Sequence, residues 1–92
     1  GGGSDVMSLS LLSSVFGKRG ITHKQSEADR NLAQVYELID GQSVPVLQVN
    51  LVDGSFLEMP HYESLTDKNK RTLADAKAEY KCRFKAWYKK SH

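Results

Sequence analysis

The chain has 92 residues, enough for one hydrophobic core but too few for a second. Hydrophobic residues make up 39% of it and charged residues 26%, a composition that excludes a disordered chain. No apolar run approaches the ~20 residues that a membrane-spanning helix needs, and the lone Cys82 excludes an internal disulfide. We therefore predict one small domain in a reducing, intracellular and cytoplasmic location.

The first residues are interpreted as an addition to this domain. The segment GGGS has the composition of a flexible linker, and we extend the interpretation to Asp5 and Val6. Residues 1–6 are thus predicted to be a linker left by cloning, with Met7 as the candidate natural start. Residues 7–92 are predicted to form a single α+β domain.

The first predicted element is a helix in the segment DVMSLSLLSSVF. Leu9, Leu12 and Phe16 recur at helical spacing, and Gly17 ends the pattern. The glycine-containing segment that follows, GKRGITHKQ, is predicted to be a loop. This loop would present the cations Lys18 and Arg19.

A second helix is predicted from Ser26 to about Ile39. Ser26 followed three residues later by Asp29 is close to an N-terminal capping box, which marks a helix start. Apolar residues then recur at helical spacing, and Gly41 suits a left-handed C-terminal cap. The apolar stripe consists of Ala28, Leu32, Val35 and Ile39.

The segment SVPVLQVNLVDGSFLEMP carries the strongest hairpin signal in the chain. Apolar and polar residues alternate before Asp53-Gly54, a pair typical of the type I′ turn, in which both central residues have positive φ. This arrangement predicts that Phe56 lies opposite Leu51 on one face. Leu57 and Met59 alternate onto the other face, where their exposure would create an apolar binding surface.

The last predicted element is a helix that begins near Ser64 or Thr66 and continues to about Tyr88. Ser64 with Asp67 has the form of a second capping box. At ~100° per residue one narrow apolar stripe emerges, and we assign it to the core. Its aromatic rings are then not available to stack on nucleic-acid bases. The stripe consists of Leu73, Ala76, Tyr80, Phe84 and Trp87.

The predicted fold class is therefore α+β: a small single domain with two N-terminal helices, a β-hairpin and a long C-terminal helix packed on it. A two-stranded hairpin is not stable alone in water, so its apolar face needs a covering element. The last helix and the helix that contains residues 28–39 are the expected covers.

The net charge of +2 conceals an acidic first part and a basic last helix. Residues 1–65 carry four Lys and Arg against eight Asp and Glu, a net −4, whereas residues 66–92 carry nine against three, a net +6. Asp75 and Glu79 share one flank of the last helix, where Glu79 is placed to pair with Arg83. The other flank has cations and no acid, and we call it the lysine flank: Lys70, Arg71, Lys77, Lys81, Lys85 and Lys89.

Three interpretations of the lysine flank remain open. Its lysines repeat at i, i+4 spacing, where each like-charged pair costs a few tenths of a kcal/mol in an isolated helix. The flank is merely solvated, or faces acidic groups of this chain or a protein partner, or contacts phosphates. Lys18 and Arg19 favour the phosphate interpretation, but a pI of about 8.8 is modest for a nucleic-acid-binding domain.

No pattern of catalytic or metal-binding residues is recognisable. His23, His61, Cys82 and His92 are scattered without ligand spacing. The segment FGKRG lacks the earlier glycine and the Ser or Thr of a phosphate-binding loop. No histidine stands near Cys82 in the sequence to activate it, so we interpret it as a surface thiol. We predict no enzymatic activity, no cofactor and no metal.

The function that follows is binding. We expect a small non-catalytic protein that acts as adaptor, regulator or inhibitor of another protein through Leu57 and Met59, the first helix or the lysine flank. Since a domain of this size has a thin core, self-association is a further expectation. The alternative is a nucleic-acid-binding protein that contacts phosphates through the basic helix, aided by Lys18 and Arg19. No membrane partner is expected.

Overall fold

The computed structural model describes residues 2–91, which form one four-stranded antiparallel sheet and two helices. The predicted class of small α+β domain is confirmed, but the predicted count of three helices is wrong. Gly1, at the start of the predicted linker, and His92 lie outside the described residues. The elements are α1 (Gly2–Gly17), β1 (Thr22–Gln25), β2 (Leu32–Ile39), β3 (Gln42–Asn50), β4 (Phe56–Glu58), a 3₁₀ turn (Pro60–Ser64) and α2 (Asp67–Ser91).

The strand β2 occupies the segment where the sequence predicts the second helix. Ala33 and Val35 are fully buried and Ala28 is exposed, so burial follows a period of two and not the helical stripe. β2 pairs with β1 on one side and with β3 on the other. This pairing satisfies its backbone groups on both sides and outweighs the helical preference of its Ala, Leu, Gln and Glu residues.

The helix-start signal at Ser26 belongs to a turn. The Asp29 N–H donates to Ser26 Oγ over 3.2 Å, as in a capped helix, and the Leu32 N–H donates to the Asp29 carbonyl over 3.0 Å. The Asn31 N–H donates to Asp29 Oδ1 over 3.0 Å, which closes a second local turn before β2 begins. The capping hydrogen bond therefore forms but serves the β1–β2 connection, and the predicted loop GKRGITHKQ contains β1.

The two Asp-Gly pairs of the chain have unexpected roles. Asp40 and Gly41 have φ angles of 51° and 80° and form the two-residue connection between β2 and β3, as a type I′ turn requires. In the second pair only Gly54 has positive φ, 75°. The Gly54 N–H donates to the Asn50 carbonyl over 2.7 Å, which closes a wider loop. The β3–β4 hairpin is confirmed, whereas the type I′ turn predicted at Asp53-Gly54 is wrong.

The observed register of β3 and β4 places Phe56 opposite Val49, not opposite Leu51. Both helices lie on the sheet face to which Phe56 points. Its ring centroid is 6.0 Å from that of Phe16 in α1 and 5.4 Å from that of Tyr80 in α2. The prediction that the last helix covers the hairpin is therefore confirmed, and α1 takes the place of the second predicted cover.

The helix α2 presents the predicted stripe to the core. Thr66 caps it, because its Oγ1 accepts the Asn69 N–H over 3.1 Å. Leu73, Ala76 and Tyr80 are fully buried, as is most of Phe84, and Trp87 is partly buried beside them. No helix within residues 2–91 is both long and apolar enough to cross a membrane.

The helix α1 packs its apolar face against the core. Leu12, Val15 and Phe16 are fully buried, and the buried Ser8 hydroxyl shares a hydrogen bond with the Tyr80 hydroxyl of α2. These three residues of the first helix, which the sequence offers as partner contacts, are therefore part of the core, whereas Leu9 and Leu11 are only partly buried. The observed α1 also takes in residues 2–6, for which a linker is predicted.

Candidate functional site

The two cations of the α1–β1 loop are paired within the chain. Lys18 Nζ lies 2.7 Å from Glu79 Oε2, Arg19 Nη2 lies 2.8 Å from Glu79 Oε1, and Arg83 Nη1 lies 3.6 Å from Glu79 Oε2. Hydrogen bonds from Lys18 and Arg19 lower the pKa of Glu79 from 4.5 to about 2. The predicted Glu79–Arg83 pair is confirmed. Lys18 and Arg19 share a carboxylate, which reduces the positive charge they offer to phosphate.

The lysine flank divides into three parts along α2. In the first part, Lys70 Nζ lies 3.7 Å from the Glu63 carboxylate and 5.8 Å from the centre of the Tyr62 ring, both in or beside the 3₁₀ turn. Arg71 is exposed next to it. The positive charge at this end of the flank is thus partly compensated within the chain.

In the second part, the ammonium groups of Lys77 and Lys81 lie 6.0 Å and 5.9 Å from the centre of the Phe56 ring. These distances are at the limit of a cation–π contact. The lysine stems can cover the half-buried ring while their ammonium groups stay in water. Lys77 and Lys81 of the lysine flank therefore lie over Phe56, an arrangement that the sequence does not indicate.

The third part consists of Lys85 and Lys89, which are exposed. Neither forms an ion pair with any residue in the part of the chain that the structure describes. They lie one helical turn apart on the C-terminal part of α2, so their charges add. Both line an open groove.

This groove, which we call the α2 groove, lies between the β3–β4 loop and the C-terminal part of α2 and has a volume of about 730 Å³. Lysines line its helix side: Lys81, Lys85 and Lys89. Its apolar lining comes from both segments: Val52, Phe56, Phe84 and Tyr88. Val52 is 55% exposed and Tyr88 is 45% exposed, although both are large and apolar or aromatic.

The β3–β4 loop is held against α2 by packing and by its own hydrogen bonds. Gly54 is buried against the Phe84 ring. Asn50 Oδ1 accepts the N–H groups of Val52 at 2.9 Å and of Asp53 at 3.3 Å. Asp53 Oδ1 accepts the Ser55 N–H at 2.9 Å. These hydrogen bonds and the contact with Phe84 shape the loop side of the groove.

The loop side of the groove carries one acidic group, Asp53. Its hydrogen bonds with Ser55 lower the pKa of the Asp53 carboxyl below its usual value of 3.8. Asp53 is therefore ionised at neutral pH. The groove has a negative charge on the loop and three positive charges on the helix.

The predicted apolar surface of Leu57 and Met59 is smaller than expected. Leu57 is 61% exposed on the sheet face away from the helices, where its paired neighbour is Gln48. Met59 is only half exposed, and its N–H donates to the Val46 carbonyl over 2.9 Å. Leu57 thus projects beside a polar cross-strand neighbour, and single exposed apolar side chains are common on protein surfaces.

Cys82 is exposed on α2, as predicted for a surface thiol. Within residues 2–91 no three or more His, Cys, Asp or Glu side chains are grouped so that they could hold a metal ion. Burial lowers the pKa of His23 and raises that of Glu37, but neither residue lines the α2 groove.

Of the residues that line the groove, only the three lysines were predicted to bind a partner, and Val52 and Asp53 are among those that sequence reasoning missed. The one signal for them is local: Val52 is an apolar residue directly beside an Asp-Gly pair, where turns normally carry polar residues. Comparison of the chain with models of protein families, with curated proteins and with solved structures gave no match. The groove and its charges are therefore the basis for assigning a function.

Proposed function

We propose that this chain is a small non-catalytic intracellular protein that binds another protein, as its adaptor, regulator or inhibitor. The α2 groove is the observation that carries this proposal. Val52 and Tyr88 stay half exposed beside the buried Phe84, with lysines around them. Apolar surface surrounded by polar groups is typical of protein interaction sites, and aromatic residues dominate the energy of such contacts.

The polar groups of the groove support binding over catalysis. Neither histidine nor cysteine is among the residues that line it. A carboxyl that exchanges protons near neutral pH needs a raised pKa, whereas hydrogen bonding lowers the pKa of Asp53. The carboxylate beside Ser55 is that of Asp53, and its lowered pKa makes it a weak proton acceptor for the Ser55 hydroxyl.

Contacts within the chain favour a protein partner over nucleic acid. A phosphate-binding surface gains affinity from each cation that it can bring to the backbone. Here Glu79 compensates Lys18 and Arg19, and Glu63 compensates Lys70. The remaining cluster of cations without an ion pair among the described residues lies along one side of an apolar groove. Such a groove suits a protein partner, which can supply apolar side chains.

Affinity capture with three matched proteins tests the proposal. We expect nuclease-treated cell extract to yield a partner that binds the wild-type chain and the Leu57→Asp variant. The same partner should be lost from a Val52→Asp/Tyr88→Ala variant, because these changes remove the apolar lining on both sides. Circular dichroism and urea unfolding check that all three proteins fold. A partner kept by the groove variant and lost by Leu57→Asp would move the binding surface to the outer face of the sheet.

Titration of labelled duplex and single-stranded DNA and RNA at two salt concentrations tests the alternative. If the function is protein binding, we expect the chain to bind these nucleic acids weakly at low salt and not at all near physiological salt. Micromolar binding that falls steeply with salt, and that Lys81→Glu/Lys85→Glu removes, would instead assign the helix to phosphate contacts.

A further inference from the structure

The two sides of the α2 groove differ in charge, and this difference restricts the chemistry of its occupant. Lys81, Lys85 and Lys89 repeat every fourth residue on the helix side, over ~12 Å of helix axis. Lys85 and Lys89 form no ion pair among the described residues, so no direct contact with an acidic group offsets the repulsion between neighbouring lysines. An occupant with carboxylates on this side would remove the repulsion.

The apolar lining requires more of the occupant than charge. Val52 on the loop and Tyr88 on the helix leave an open apolar surface between them, with Phe84 beneath. The volume of about 730 Å³ exceeds what a single ion needs and lies in the range of sites that bury large apolar groups. Because the groove is open to solvent along the surface, a chain segment can enter it without threading through the fold.

Resting on the proposed function, we infer that the α2 groove binds an acidic and apolar segment of a partner protein. One or two large apolar side chains of the segment pack between Val52 and Tyr88. Neighbouring Asp or Glu residues of the segment face Lys85 and Lys89. Asp53 on the opposite side repels carboxylates there, so the acidic residues must lie on the helix side and the segment has one orientation.

Selection from a phage-displayed library of random 12-residue peptides on the full chain tests this inference. Enriched peptides should combine Leu, Ile, Phe or Trp with several Asp or Glu. A synthetic, fluorescein-labelled peptide of the enriched consensus is then titrated by fluorescence anisotropy. We expect Lys85→Glu/Lys89→Glu to weaken its binding about tenfold or more, since two attractive pairs become repulsive.

The control is Lys68→Glu/Lys90→Glu, which changes the net charge by the same amount. Lys68 and Lys90 are exposed on α2 but do not line the groove. This control should weaken binding less than about threefold if the contact is local, because screening limits the reach of distant surface charges. Equal losses in both double variants would overturn the inference.

The outcomes separate this inference from the proposed function. Enriched peptides that are apolar without acidic residues, and that need Val52 and Tyr88, would overturn the acidic partner but leave protein binding in place. Selection that yields no peptide, or peptides insensitive to Val52→Asp/Tyr88→Ala, would overturn both. Dimerisation that Lys85→Glu/Lys89→Glu abolishes, measured by analytical ultracentrifugation, would assign the groove to a second copy of this chain. Single-stranded RNA that binds more tightly than the peptide would assign it to nucleic acid.

Discussion

Gly54 lies directly against the ring of Phe84: a Cβ atom at position 54 would stand 2.9 Å from both Cγ and Cδ1 of that ring. Gly54 also has a φ of 75°, in the left-handed region that other residues rarely adopt. Position 54 therefore requires glycine for two reasons, the lack of space for a Cβ atom and the left-handed backbone. Because glycine satisfies both, the β3–β4 loop can lie close to α2 and form one side of the α2 groove.

Gly54→Ala should destabilise the fold by about 2–5 kcal/mol, since a left-handed L-residue costs about 1–2 kcal/mol and overpacking a core about 1–3 kcal/mol. Gly20→Ala is the matched control, because Gly20 has a φ of 74° but no atom within 4 Å of the position of its Cβ. We expect Gly20→Ala to cost only the conformational part. Urea unfolding of both variants measures the difference, and equal losses would show that the contact with Phe84 relaxes freely.

The buried hydrogen bond between Ser8 and Tyr80 joins the two helices. Tyr80→Phe should cost about 1–3 kcal/mol, because it leaves the fully buried Ser8 hydroxyl without its partner. The double variant Ser8→Ala/Tyr80→Phe should be destabilised by less than the sum of the two single variants, since it removes both polar groups together. A double-mutant cycle from urea unfolding gives this coupling. Strict additivity would mean that the bond contributes nothing.

Glu79 should make the stability of the fold depend on pH in the acidic range. Its pKa is about 2 in the folded protein, below its ordinary value of 4.5, because Lys18 and Arg19 hydrogen-bond to its carboxylate. The stabilisation from Glu79 is therefore fully present above pH 4.5 and is lost as the pH falls from 4.5 towards 2. Glu79→Gln should lower the urea midpoint at pH 7, and most of this difference from wild type should be gone at pH 2, where about half of the Glu79 carboxylate is protonated in the folded protein. A difference that persists unchanged at pH 2 would contradict the role of the charge.

Charge reversal at Lys85 should separate binding from stability. Lys85→Glu replaces two repulsive i, i+4 pairs, with Lys81 and Lys89, by two attractive ones, and we expect about 0.5–1 kcal/mol of added stability at low salt. This gain should vanish in 1 M NaCl, where exposed charges are screened. The same variant should lose affinity for the partner of the α2 groove. A variant that loses both stability and binding would indicate that Lys85 has a packing role instead.

Local sequence patterns correctly predicted those elements whose structure depends mainly on residues close by in the chain. The apolar stripe of α2 continues at helical spacing from Leu73 to Phe84, and its residues are buried as predicted. The ending of α1 at Gly17 and the β3–β4 hairpin have the same origin. Hydrogen bonds within a helix and between adjacent strands connect near neighbours, so the sequence pattern carries the information.

The segment that forms β2 could not be assigned in this way. Leu32, Val35 and Ile39 have helical spacing, yet Ala33 and Val35 alternate as in a strand, so both structures fit the same letters. What decides between them is pairing with β1 and β3, and β1 itself is only four residues long. The Asp40-Gly41 turn was the clue to this pairing, since its two positive φ angles join β2 directly to β3.

For the candidate site, the sequence alone determined that α2 has an acid-free flank, because helical spacing sets the side of the helix on which each lysine lies. Only the tertiary structure decided which of these cations are available. It brings Glu63 to Lys70 and Phe56 to Lys77 and Lys81, and it leaves Lys85 and Lys89 beside Val52. The physical reason is that spacing along the chain defines angles within one helix. Distances between side chains of separate segments depend on how the whole core packs.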